Sequence, residues 1–110
     1  MSAVEALQER AMAVREAYNR LNAAHGHNAW AGKDYAMGFA GDVGALMKII
    51  MAKENMRDLM GGDATARLKH ELGDCLWSLF VIAAHYGINL EEAFAGTMDE
   101  LEARIAGGVE

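Results

Sequence analysis

The chain has no proline, one cysteine, and aromatic side chains at only 7% of its 110 positions. Without proline, collagen, polyproline linkers and Pro-punctuated loops are excluded. A β-sandwich is also disfavoured, because its many turns usually recruit that residue. The lone Cys75 excludes an intrachain disulfide and a cysteine-based zinc cluster, and it suits a reducing compartment. Positive charge is scarce, with 10 Lys and Arg against 16 Asp and Glu, a net charge of −6. No basic cluster is present, so neither nucleic acid nor an anionic membrane is expected as a partner. An acidic substrate is compatible with this balance where a metal ion screens the charge. The segment Met1–Glu5 has neither a basic start nor an apolar run, so no signal peptide is expected. The apolar window Cys75–Ala84 lies between Asp74 and His85 and is about half the roughly 20 residues a membrane span needs. A soluble, cytoplasmic protein is the expectation.

Hydrophobic residues make up 53% of the chain, enough for a core, and the length suits one domain over residues 1–110. Their spacing is helical. Val4, Leu7, Ala11, Val14, Tyr18 and Leu21 form one seam, started by Ser2 with Glu5 at the capping-box position and ended at Gly26. After a loop at 27–33, with Asp34 as the candidate cap, a second helix is expected over about Tyr35–Met56, with a stripe of Phe39, Val43, Leu46 and Ile50. Gly61–Gly62 mark a loop, and Asp63 or Thr65 caps the third helix. That helix has the seam Leu68, Leu72, Cys75, Leu79, Ile82 and Tyr86, and Gly87 stops it. Asn89, with Glu92 at the capping-box position, opens a fourth helix whose stripe is Leu90, Phe94, Thr97, Leu101 and Ile105. No strand pattern or repeat occurs, so the expected fold is an all-α, four-helix bundle-type domain. Because Cys75–Tyr86 is apolar almost all round, a second copy is expected to cover one face of it, giving a homo-oligomer.

Chemistry is sought where acids border the seams. Glu71 and Asp74 are three residues apart on the third helix, and Asp42 lies on the second. Gly38, Gly41, Gly44 and Gly73 sit inside these helices, each at a cost of about 1 kcal/mol relative to alanine. The expectation is that they let the helices approach closely and bring the three carboxylates together. Such a group repels itself and needs a cation, and oxygen-only ligands suit Mg²⁺ or Mn²⁺. The bland reading has equal standing on periodicity alone: tight packing, with the acids in water.

The stretch Gly38-Phe39-Ala40-Gly41-Asp42-Val43-Gly44-Ala45-Leu46, followed by Glu71-Leu72-Gly73-Asp74-Cys75-Leu76-Trp77, resembles the MazG-like family of all-α nucleoside triphosphate pyrophosphohydrolases. Tyr86-Gly87-Ile88-Asn89-Leu90-Glu91-Glu92-Ala93 is similar to that family's link into its last helix. The family carries an E-E-x-x-E element and then an E-x-x-D element. The second is intact as Glu71 and Asp74, whereas the first reads Gly41, Asp42 and Ala45. The resemblance implies Mg²⁺-dependent hydrolysis of a nucleoside triphosphate to monophosphate and pyrophosphate, with Asp42, Glu71 and Asp74 as catalytic metal ligands. It also implies a loop before the second helix that recognises the base, here holding Asn28 and Trp30. Lys48 and Lys53 are candidates to meet phosphate, against the commoner fate of surface lysines. The alternative, favoured by Ala45, is an impaired bundle that binds nucleotide or a protein partner without turnover.

Overall fold

A computed structural model describes residues 1–56 and 61–108. It contains α1 (Ala3–Ala24), α2 (Gly32–Lys53), α3 (Ala64–His85) and α4 (Leu90–Ala106), with no strand among the described residues. The helix ends follow local rules. Ser2, Asp63 and Asn89 accept hydrogen bonds from the backbone N–H groups of Glu5, Thr65 and Glu92 at 3.1, 3.2 and 3.1 Å. Asp34 proves to be the third residue of α2 rather than its cap. Its carboxylate reaches back to the Ala31 N–H at 2.8 Å, so α2 begins three residues earlier than expected. At the other ends, Gly26 and Gly87 adopt φ of +77° and +68°. His27 N–H then bonds Asn22 C=O and Ile88 N–H bonds Ala83 C=O, both at 2.8 Å, which closes the last turns. Asn55 does the same for α2 at φ +59°, so α2 ends before Met56.

The main packing unit is the antiparallel pair α2 and α3. Tyr35 stands against His85, with ring centroids 5.9 Å apart. Ser78 bonds Asp42, and Lys53 bonds Thr65. Tyr35 and Ile49 of α2, with Ser78, Phe80, Val81 and Ala83 of α3, are buried. α1 packs against α3 more lightly, pinned where the Trp77 indole N–H donates to the Ala11 carbonyl at 3.0 Å. α2 is long and apolar enough to cross a bilayer by length and composition alone, and it carries Asp42 and Lys48 near its middle and pairs with α3.

Two expectations need correction. The α3 seam is not the buried face: Leu72, Leu79 and Tyr86 are 52%, 39% and 63% exposed. α2 takes the side of α3 around Ser78 and Val81, and α1 takes the side around Trp77, so the Leu72–Leu76–Leu79 side is left largely exposed among the described residues. The glycine argument also fails at three positions. A Cβ at Gly41, Gly44 or Gly73 would meet nothing within 4 Å, because those faces point away from other helices. The tight positions are elsewhere, at Gly32, where a Cβ would meet the Tyr86 hydroxyl and come within 3.1 Å of His85, and at Gly38, where it would come within 3.0 Å of the Trp30 indole, so that these side chains would have to shift.

The single chain does not close a four-helix bundle, since α4 contributes no buried residue. The radius of gyration is 17.1 Å, against about 13 Å for a compact chain of this length. The accessible surface of 7911 Å² exceeds by about 2,000 Å² what a compact monomer of this mass exposes.

Candidate functional site

Along α1, α2 and α3 runs a cavity of about 500 Å³. Its acidic wall is Asp42 from α2 and Asp74 from α3. Its aromatic wall is Trp30 from the α1–α2 loop, Tyr35, Trp77 and Tyr18. The rings support one another: Trp30 and Tyr35 have centroids 5.7 Å apart, and Tyr18 and Trp77 are 6.0 Å apart. Trp30 lies close to Gly38 and remains 47% exposed.

Asp42 is oriented by Ser78, whose hydroxyl donates to Oδ2 at 2.8 Å. A serine within the apolar run Cys75–Ala84 must find a partner when buried, and this is the sequence signal that would have pointed to it. Ser78→Ala is therefore expected to free the Asp42 carboxylate and destabilise the protein by about 1.5–3 kcal/mol, the usual worth of a hydrogen bond to a charged group. A urea titration read by circular dichroism checks this.

Asp74 Oδ2 lies 3.1 Å from the His70 Nε2 on the same face of α3, at an exposed position. Glu71 is half-buried but does not line the cavity. All three acids nevertheless act on one point. Burial first, and then the charges of Asp42, Glu71 and Asp74, push the Cys75 thiol above its ordinary range. Among the described residues no lysine or arginine is ion-paired to these carboxylates. Their donor chemistry and uncompensated charge thus fit a hard divalent cation. They do not, as they stand, converge into a ready group of three ligands among the described residues.

The helix register explains why. Tyr35 is level with His85, Asp42 with Ser78, and Lys53 with Thr65. Asp74 is then one turn from the Asp42 level and Glu71 two turns, about 10 Å at 1.5 Å per residue. By this register Ala45 comes level with Cys75, between the levels of Asp74 and Ser78.

Of the expected substrate contacts, Trp30 lines the cavity, whereas Asn28, Lys48 and Lys53 do not. Asn28 and Lys48 are exposed, and the Lys53 ammonium donates to Thr65 Oγ1 at 3.0 Å, bracing the ends of α2 and α3. In their place α1 presents Arg15, Asn19 and Asn22 to the cavity. Their i, i+4, i+7 spacing was visible in the sequence but was overshadowed by the apolar seam beside it.

A family model described as MazG nucleotide pyrophosphohydrolase domain matches residues 41–106. That segment contains Asp42, Glu71 and Asp74, and it leaves α1 and the α1–α2 loop outside the match. No curated protein matches the chain, and no solved structure does.

Proposed function

Since the chain belongs to the MazG nucleotide pyrophosphohydrolase domain family, we propose that it hydrolyses nucleoside or deoxynucleoside triphosphates to monophosphate and pyrophosphate. It would do so in the cytoplasm, clearing surplus or unwanted nucleotides, as a homo-oligomer. The observation carrying this reading is that Asp42 and Asp74, from different helices of the matched segment, line one cavity together with a half-exposed indole and further aromatic rings. Aromatic faces suit a base, and carboxylates suit a cation–phosphate complex.

In this reading water attacks the α-phosphorus while the bond to the oxygen bridging the α- and β-phosphorus breaks, releasing pyrophosphate. Asp42, Glu71 and Asp74 would hold Mg²⁺, or Mn²⁺, which supplies charge neutralisation of the phosphates and polarisation of the phosphoryl oxygen. Ser78 fixes Asp42 through Oδ2 and leaves Oδ1 free. A carboxylate of this wall takes the proton of the attacking water, and Trp30 offers a stacking face to the base.

Pyrophosphate release from a panel of NTPs and dNTPs, with and without Mg²⁺, tests the activity. Pyrophosphate with monophosphate supports it, and orthophosphate with diphosphate contradicts it. Ala45, with the lack of a converged three-ligand group among the described residues, favours a second reading: a bundle that binds nucleotide or a protein partner without turnover. That reading gains if nucleotides bind and none is hydrolysed.

Ala45→Glu separates the two. A carboxylate level with Cys75 is expected to tighten Mg²⁺ binding and raise turnover about tenfold or more, while lowering metal-free stability through repulsion. Thermal melts should therefore shift in opposite directions without and with Mg²⁺, because a ligand stabilises only the folded state it occupies. Stability indifferent to Mg²⁺ in this variant would count against the metal site.

A further inference from the structure

We infer that His70 and Asp74 form a nitrogen–oxygen chelate on α3: the imidazole Nε2 and a carboxylate oxygen together hold a late first-row transition ion of the Zn²⁺ class. The inference builds on the cation-site reading of Asp74 but not on turnover, and it adds a residue outside the E-x-x-D pair.

The two groups already stand at chelating distance. His70 and Asp74 are four residues apart on α3, hence neighbours on one face, one turn apart. Nε2 lies 3.1 Å from Oδ2. Two donors each about 2.1 Å from one ion, at roughly 90–100° to each other, are about 3.1 Å apart. The pair can therefore close on an ion without a change of backbone. The side chains are 70% and 44% exposed, so an ion can approach from solvent and keep water at its other positions. The pair is a two-ligand site, which agrees with the lack of a three-ligand group among the described residues.

The local charge suits a cation, and the donor set narrows which one. Asp42, Glu71 and Asp74 all act on the Cys75 thiol, so the potential along this stretch of α3 is negative. Among the described residues no lysine or arginine is ion-paired to Asp74. The group beside it is an imidazole, which has a lone pair to give where an ammonium or guanidinium has none. Carboxylates alone suit Mg²⁺ or Mn²⁺. An imidazole suits Zn²⁺, Ni²⁺ and Cu²⁺, which bind a given nitrogen–oxygen site more tightly than Mn²⁺ does. His70 thus makes this end of the acidic wall selective for a softer ion than the carboxylates by themselves would choose.

The experiment uses the full chain without nucleotide, at one pH. Zn²⁺ is titrated by calorimetry into wild type, His70→Gln, His70→Ala, Asp74→Asn and, as a control in the α1–α2 loop, His27→Gln. Position 70 is exposed, and glutamine and alanine are good helix formers, so both His70 variants should fold. Wild type should bind one Zn²⁺. The two His70 variants and Asp74→Asn should each weaken it about tenfold or more, since even the outer partners of metal ligands are worth about 10–100-fold. His27→Gln should not weaken it. In imidazole nitrogen spectra, the Nε2 signal that His70→Gln lacks should shift as Zn²⁺ is added. Mg²⁺ affinity, read from thermal melts, should be the same in His70→Gln as in wild type, because Mg²⁺ takes oxygen ligands. A wild type that binds no Zn²⁺ at sub-millimolar concentration overturns the inference, as does Zn²⁺ binding unchanged in the His70 variants. Equal loss of Zn²⁺ and Mg²⁺ also overturns it, because His70 would then orient Asp74 rather than ligate. Mg²⁺-dependent turnover with Zn²⁺ binding indifferent to His70 sinks this inference alone. His70-dependent Zn²⁺ binding in a protein that Mg²⁺ neither stabilises nor activates upholds it and sinks the Mg²⁺-dependent hydrolase.

Discussion

A glutamate at Leu76 or Leu79 is expected to convert the proposed homo-oligomer to a monomer and to lower its melting temperature sharply. The reason is the unpartnered side of α3. Leu72, Leu76 and Leu79 are exposed at helical spacing, with Val43, Met47 and Ile50 exposed on α2 and Phe94, Leu101 and Ile105 on α4. Apolar area on this scale is rarely left in water by a soluble monomer. The excess surface of about 2,000 Å² over a compact monomer is well above the roughly 800 Å² each partner buries in a standard interface. It suits an obligate assembly in which α4, with no buried residue of its own, packs on a second copy. An unpaired charge inside such an interface costs several kcal/mol. Sedimentation velocity at micromolar concentration reads the result, and a wild-type monomer would refute the proposed oligomer. Phe80 is unsuitable for this test, because it is buried within the chain and a charge there would simply unfold it.

Glu71→Gln and Asp74→Asn should each reduce Mg²⁺-dependent turnover by at least 100-fold, and should remove most of the stabilisation that Mg²⁺ gives the wild type. Both effects follow from loss of a charged oxygen facing the cation, whose neutralisation of transition-state charge is worth several kcal/mol. Metal-free stability should rise slightly if the carboxylates repel one another without a cation, as like charges do. Saturation to 100 times Kd would add about 2.7 kcal/mol to the wild type, which a thermal melt resolves easily. If millimolar Mg²⁺ leaves the wild type unchanged, even beside a nucleotide analogue, the three acids are surface charges.

Local structure was legible in the sequence because it depends on near neighbours. Ser2, Asp63 and Asn89 cap their helices through bonds to N–H groups two or three residues away, and Gly26 and Gly87 end theirs through a left-handed φ. The four helices, the E-x-x-D pair and the family were legible for the same reason, since each is a pattern within a short stretch. Only the tertiary structure decided which face of each helix is inside. A helix apolar all round, as α3 is from Cys75 to Tyr86, has no periodic signal to distinguish its sides, so the Leu72–Leu79 seam looked like core and lies outside. Glycine spacing could not show that Gly41, Gly44 and Gly73 face open space while Gly32 faces Tyr86, because that depends on where a distant helix lies. The same holds for the site. Asp42 and Ser78 are 36 residues apart, and the register between α2 and α3 alone puts them in contact. That register also sets Glu71 two turns from Asp42 and brings Ala45 level with Cys75, so the separation of the acids was decided by packing, not by their spacing in the chain.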